Sequence, residues 1–179
     1  PPMRTRQPGT AKIPAVRIRG RIVDSVDRAR GRYSLRDVNL VAAGIEINVQ
    51  GPPEKGRPRS WTGTIASNLT VAAQLDATVC TAGDPLQLTL SLSGPGDLSR
   101  TFAPALPTQL LAGAGAPFRV DSASMKTAWR NGTKLFTWRV RAQQAGTTEF
   151  PALEAAFFAL GSRTYVVRRT EPIPVQIKA

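Results

Sequence analysis

Six arginines fall within residues 17–32, namely Arg17, Arg19, Arg21, Arg28, Arg30 and Arg32. No other stretch concentrates so much chemical capability. A guanidinium is always charged and offers a planar fork of donors that fits carboxylates and phosphates, so the stretch is a candidate surface for an anionic partner. Acidic protein and lipid head groups suit it. Nucleic acid ranks below both, because single strands are held largely by aromatic stacking and Tyr33 is the one aromatic nearby. Arginine at alternate positions is also how the wet face of a strand reads.

Other combinations offer less. Asp84 and Asp97 flank a leucine-rich segment and could meet as a carboxylate pair, but each sits in a turn sequence where an aspartate ordinarily accepts local backbone N–H groups. Asp24 and Asp27 could contribute oxygens to calcium, yet Arg21, Arg28, Arg30 and Arg32 surround them and repel a cation. Gly94-Pro95-Gly96 and Gly113-Ala114-Gly115 lack the Lys-Ser/Thr of a phosphate-cradling loop. Cys80 is the single cysteine and there is no histidine, which removes an internal disulfide and the usual neutral-pH base. Cys80 therefore reads as a small buried side chain. Catalytic, cofactor-binding and metal-binding residues are all expected to be absent, and with them any cofactor or small-molecule substrate.

Whatever the arginines do, strands must position them. Leu86, Leu88, Leu90 and Leu92 alternate with polar residues, as do Phe136, Trp138 and Val140, then Leu69, Val71, Ala73 and Leu75, then Ile45, Ile47 and Val49, and finally Ile173, Val175 and Ile177. A period of two gives each segment one dry and one wet face. Asn131-Gly132 supplies the positive φ values of a tight hairpin turn. Gly161-Ser162 joins another pair of strands, and residues 103–117 read as a loop with one short helical turn. The 24 Lys and Arg against 12 Asp and Glu leave a net charge of +12, a statement about association rather than fold. No apolar run is long enough to span a bilayer.

Gly9-Thr10-Ala11-Lys12-Ile13-Pro14-Ala15-Val16 matches Gly146-Thr147-Thr148-Glu149-Phe150-Pro151-Ala152-Leu153, and a strand, a tyrosine segment (Tyr33, Tyr165) and a closing alternating strand follow each copy. The first copy is longer, with an arginine-rich insertion around Asp24 to Arg32. Such repetition reports modular architecture. The expected fold is all-β, an immunoglobulin-like antiparallel β-sandwich over 61–179, preceded by a partial sandwich module over 1–50, the closing half of a first module. A Pro/Gly-rich linker over 51–60 separates them. Half a sandwich leaves open strand edges, which makes those edges candidate sites for receiving a partner's strand.

These motifs resemble the BatD, or aerotolerance-type, family of bacterial envelope proteins. The resemblance rests on Trp61-Thr62-Gly63, Gly83-Asp84-Pro85, Gly94-Pro95-Gly96-Asp97-Leu98, Gly146 to Ala152, Phe157-Phe158, Tyr165 and Pro172 to Ile177, in that order. Phe158-Ala159-Leu160-Gly161 stands where the family often has an aromatic-Asp-Pro turn. The resemblance implies a protein on the periplasmic side of the inner membrane, anchored by a helix outside this segment. It also implies action in envelope stress or oxygen tolerance with a MoxR-type ATPase and von Willebrand A-domain membrane proteins, and no catalytic residues. A reading from another class is a carbohydrate-binding or hydrolase-accessory β-sandwich, which requires Trp61, Trp129 or Trp138 on a solvent-facing platform.

Overall fold

The computed structural model describes residues 8–112 and 115–179; Gly113 and Ala114 of the second glycine turn lie outside them. The chain divides into two compact units, Pro1–Pro52 and Pro53–Ala179.

The first unit contains β1 (Gly9–Ile13), β2 (Val16–Asp27), β3 (Arg32–Ala42) and β4 (Ile45–Val49). β2 and β3 form a long antiparallel hairpin, while β1 pairs antiparallel with β4. At the hairpin turn the Asp27 carboxylate accepts the N–H groups of Ala29 and Arg30 at 3.1 and 3.2 Å, and Gly31 takes a positive φ of 62°. That side chain replaces water on two donors the turn would otherwise leave open.

The second unit contains β5 (Trp61–Ala66), β6 (Thr70–Leu75), β7 (Val79–Thr81), β8 (Pro85–Ser93), α1 (Thr108–Ala112), β9 (Phe118–Arg130), β10 (Thr133–Ala142), β11 (Gly146–Phe150), β12 (Glu154–Ala159), β13 (Thr164–Arg169) and β14 (Ile173–Lys178). A four-stranded sheet runs β6-β8-β10-β9, and two three-stranded sheets run β13-β12-β5 and β11-β14-β7. β5 and β7 join β12 and β14 in parallel; the other pairings in this unit are antiparallel. Asn131 and Gly132, at φ 47° and 76°, close the β9–β10 hairpin. β9 starts at Phe118, and Phe118 and Val120 alternate inward before a bulge opposite Trp138 breaks the period. Ser124 repairs the ladder there: its Oγ accepts the Arg139 N–H at 2.7 Å and donates to the Asp121 carbonyl at 2.6 Å.

The core is an all-β sandwich interior. Leu88, Leu90, Leu92, Phe136 and Val140 of the four-stranded sheet share one cluster with Phe150, Ala155, Phe157, Val175 and Ile177 of the other two. Phe118 and Phe150 meet edge to face at 5.3 Å. Burying each such leucine or phenylalanine stabilises the fold by about 1.5–3 kcal/mol. The buried hydroxyls are linked: Thr62 Oγ1 donates to the Ala156 carbonyl at 2.9 Å and lies 2.8 Å from Thr64 Oγ1, which meets Thr101 Oγ1 at 2.8 Å.

The repeat in sequence is also a repeat in pairing. Gly9 lies opposite Val49 and Ile13 opposite Ile45, just as Gly146 lies opposite Ile177 and Phe150 opposite Ile173. From Gly9 to Gly146 is 137 positions, and from Ile45 to Ile173 only 128. The β2–β3 hairpin is therefore nine residues longer than the β12–β13 hairpin that corresponds to it. In the second unit β12 also pairs with β5, and β14 with β7. Among the described residues β2 has only β3 as a neighbour, and β4 only β1.

Candidate docking surface

Strand alternation sorts the first unit's side chains. Arg17, Arg19 and Arg21 project from one face of β2, opposite Val41, Asn39 and Asp37 on β3. Arg21 Nε reaches Asp37 Oδ1 at 2.9 Å. The register shifts between Val23 and Ser25, so beyond Asp24 the faces of β2 exchange. Arg36 Nε meets Asp24 Oδ1 at 3.1 Å and the Ser25 and Ser34 hydroxyls meet at 2.7 Å, all on the face opposite the three arginines.

The six arginines thus do not form one patch. Arg17, Arg19 and Arg21 stand together near the hairpin's base, Arg28 and Arg30 lie in the turn, and Arg32 opens β3 on the other face, opposite Asp27. Asp24 and Asp27 are committed to Arg36 and to the turn amides, respectively.

The apolar side chains change face along the hairpin, and the bulge brings Val26 onto the arginine side beside Val23. Near the base, Val16, Ile18, Ile22, Val38 and Leu40 share the face away from the arginines. Near the turn, Val23, Val26, Tyr33 and Leu35 share the arginine face. Val16 corresponds to Leu153 in the second unit, which is 1% exposed, and Ile18 to fully buried Ala155; Val16 and Ile18 are 52% and 60% exposed. Adjacent apolar side chains on a sheet face with unpaired strand edges are the ordinary material of a docking surface. The sequence locates the arginines but not that Val26 joins their face, which depends on one bulged residue.

In the second unit, Asp84 Oδ2 accepts the Thr81 N–H at 2.8 Å and Asp97 Oδ1 the Ser99 N–H at 3.0 Å, so each carboxylate serves its own turn. Cys80 is buried; desolvation, with a smaller contribution from the Asp84 charge, raises its thiol pKa. The tryptophans do not form a platform. Trp138 is in the core, Trp61 packs edge-on against Tyr165 at 5.1 Å, and half-exposed Trp129 sits on β9 near the Asn131 turn. A basic cluster escaped the sequence reading: Arg119 on β9 lies opposite Arg141, with Arg139 two residues before it on β10. Its signal is hidden because Phe118–Ala123 reads as strand only once the bulge is known.

Within the second unit, residues 53–60 are fastened to the strands that follow. Tyr165 donates its hydroxyl proton to the Pro53 carbonyl at 2.6 Å and accepts from Arg57 Nε at 3.3 Å, and the Ser60 carbonyl accepts the Ala156 N–H at 2.8 Å.

Comparison with known proteins returns one family. The model described as BatD DUF11 like domain matches residues 73–177, from within β6 to within β14 and more than half of the chain. No curated protein and no solved structure matches the chain. With the ordered motifs now placed on one sandwich, the chain belongs to the BatD family.

Proposed function

We propose that this chain is a non-enzymatic interaction and scaffolding segment of a membrane-anchored, periplasm-facing envelope protein, and that its first unit receives strands from a protein partner. One observation carries the reading. β2 and β4 lack the parallel neighbours that β5 and β7 give to β12 and β14, and the apolar side chains at the base of β2 are exposed where their counterparts are buried. Main-chain donors and acceptors on such edges supply affinity, and alternate side chains supply selectivity. On this reading residues 1–50 are the closing half of a first sandwich module, 51–60 a linker and 61–179 a complete second module. Membership of the BatD family makes a von Willebrand A-domain membrane protein, working with a MoxR-type ATPase in envelope stress, the partner to test first.

The experiment is titration of the chain with a von Willebrand A domain from the same organism, read by calorimetry. Saturable binding that is lost in Ile18→Asp, with the melting temperature unchanged, supports the reading. Heat that is absent, or that survives Ile18→Asp, contradicts it.

A further inference from the structure

The nine extra residues of the first hairpin and its bulge coincide. They give the turn half of β2–β3 a character unlike its base. Along the arginine face, the order from base to turn is Arg17 and Arg19, then Val23 and Leu35, then Val26 and Tyr33, and then the turn that carries Arg28 and Arg30. Val23, Val26, Tyr33 and Leu35 are 55%, 61%, 67% and 50% exposed. Among the described residues Arg17, Arg19, Arg28 and Arg30 have no ion-pair partner, whereas Arg21 and Arg36 are neutralised by Asp37 and Asp24.

An apolar strip with a tyrosine, bracketed by unpaired arginines, fits a boundary that is apolar below and anionic above. We propose that this face of the β2–β3 hairpin binds anionic lipid bilayers, with Val23, Val26, Tyr33 and Leu35 entering the head-group boundary and Arg17 and Arg19 meeting phosphates.

Two features favour a bilayer over an acidic protein. The arginines are spread along the hairpin on both sides of the strip, a distribution that laterally mobile phosphates can meet and one acidic side chain cannot. Four apolar side chains also fall short of the roughly 1,000 Å² that a stable protein pair requires, yet they suit shallow insertion. Each basic side chain near an anionic surface strengthens binding by about fivefold, and salt weakens it. The proposal goes beyond strand exchange at the β2 edge and does not depend on it.

The test is cosedimentation of the full chain with vesicles of phosphatidylcholine alone or with about one-third phosphatidylglycerol, at about 50 mM and about 500 mM salt. The expected result is binding to the anionic vesicles only, greatly reduced at the higher salt. Arg17→Gln with Arg19→Gln should weaken it by roughly tenfold or more. Val26→Asp with Leu35→Asp should abolish it, and Tyr33→Trp should show a blue-shifted emission on binding. Arg119→Gln with Arg141→Gln removes the same charge from the second unit and should leave binding unchanged. Failure to bind anionic vesicles at low salt overturns the proposal. So does an equal loss in both arginine pairs, which would signify diffuse attraction, or retention in Val26→Asp with Leu35→Asp. Binding to polyglutamate without binding to vesicles would overturn it in favour of a protein partner.

Discussion

The ring of Phe102 occupies the space that a side chain at Gly63 would need. A Cβ placed on Gly63 would lie 2.5 Å from Phe102 Cε1, and Gly63 has a φ of 76°. The Phe102 N–H donates to the Thr62 carbonyl at 2.9 Å, which ties the Phe102 backbone to β5. Trp61-Thr62-Gly63 is thus a packed corner in which the tryptophan meets Tyr165, the threonine bonds the Ala156 carbonyl and the glycine admits Phe102. Gly63→Ala should destabilise the second unit by about 1–3 kcal/mol through backbone strain and the displaced ring. Urea denaturation measures it, and an unchanged midpoint would show that the corner is looser than described.

Tyr165→Phe removes the hydroxyl that joins Pro53 and Arg57 to the sandwich. The loss should be modest overall, about 0.5–1.5 kcal/mol, but concentrated locally. Hydrogen exchange should quicken across residues 53–60 while the β8 amides keep their protection; uniform quickening would contradict the local role.

Burial raises the Cys80 pKa, so the folded thiol holds its proton more tightly than the unfolded one. A group of this kind contributes stability that is fully present below the ordinary thiol value and is lost as pH rises from there through the raised folded value. A disulfide reagent at mildly alkaline pH should therefore label Cys80 slowly in the folded chain and promptly in urea. Immediate labelling of the folded chain would refute the buried, protonated assignment.

Two leucines contrast the units. Leu90 is fully buried in β8, and Leu40 on β3 is 61% exposed. Leu90→Ala should cost about 2–5 kcal/mol, and Leu40→Ala no more than about 0.5 kcal/mol in the isolated chain. A large cost at Leu40 would mean that its face is already covered in solution.

Much of this fold is legible from side-chain period and turn residues. The alternating leucines of β8 and the Asn131-Gly132 turn specify their elements locally, because one face must be dry and one φ must be positive. β9 is less legible, since its bulge places Ser122–Met125 out of step and a serine side chain, not the backbone, completes the ladder. The parallel attachments of β5 and β7 are not legible at all, because they depend on long-range pairing with β12 and β14. The candidate surface is half legible: Arg17, Arg19 and Arg21 announce themselves, while the joint patch of Val23, Val26, Tyr33 and Leu35 exists only because the bulge after Val23 turns Val26 to their side.

The most direct measurement is hydrogen exchange of the whole chain with and without the von Willebrand A domain. The account predicts new protection at the β2 and β4 amides, with the β8 and β10 amides unaffected. Protection confined to residues 61–179, with β2 and β4 exchanging as before, would contradict it.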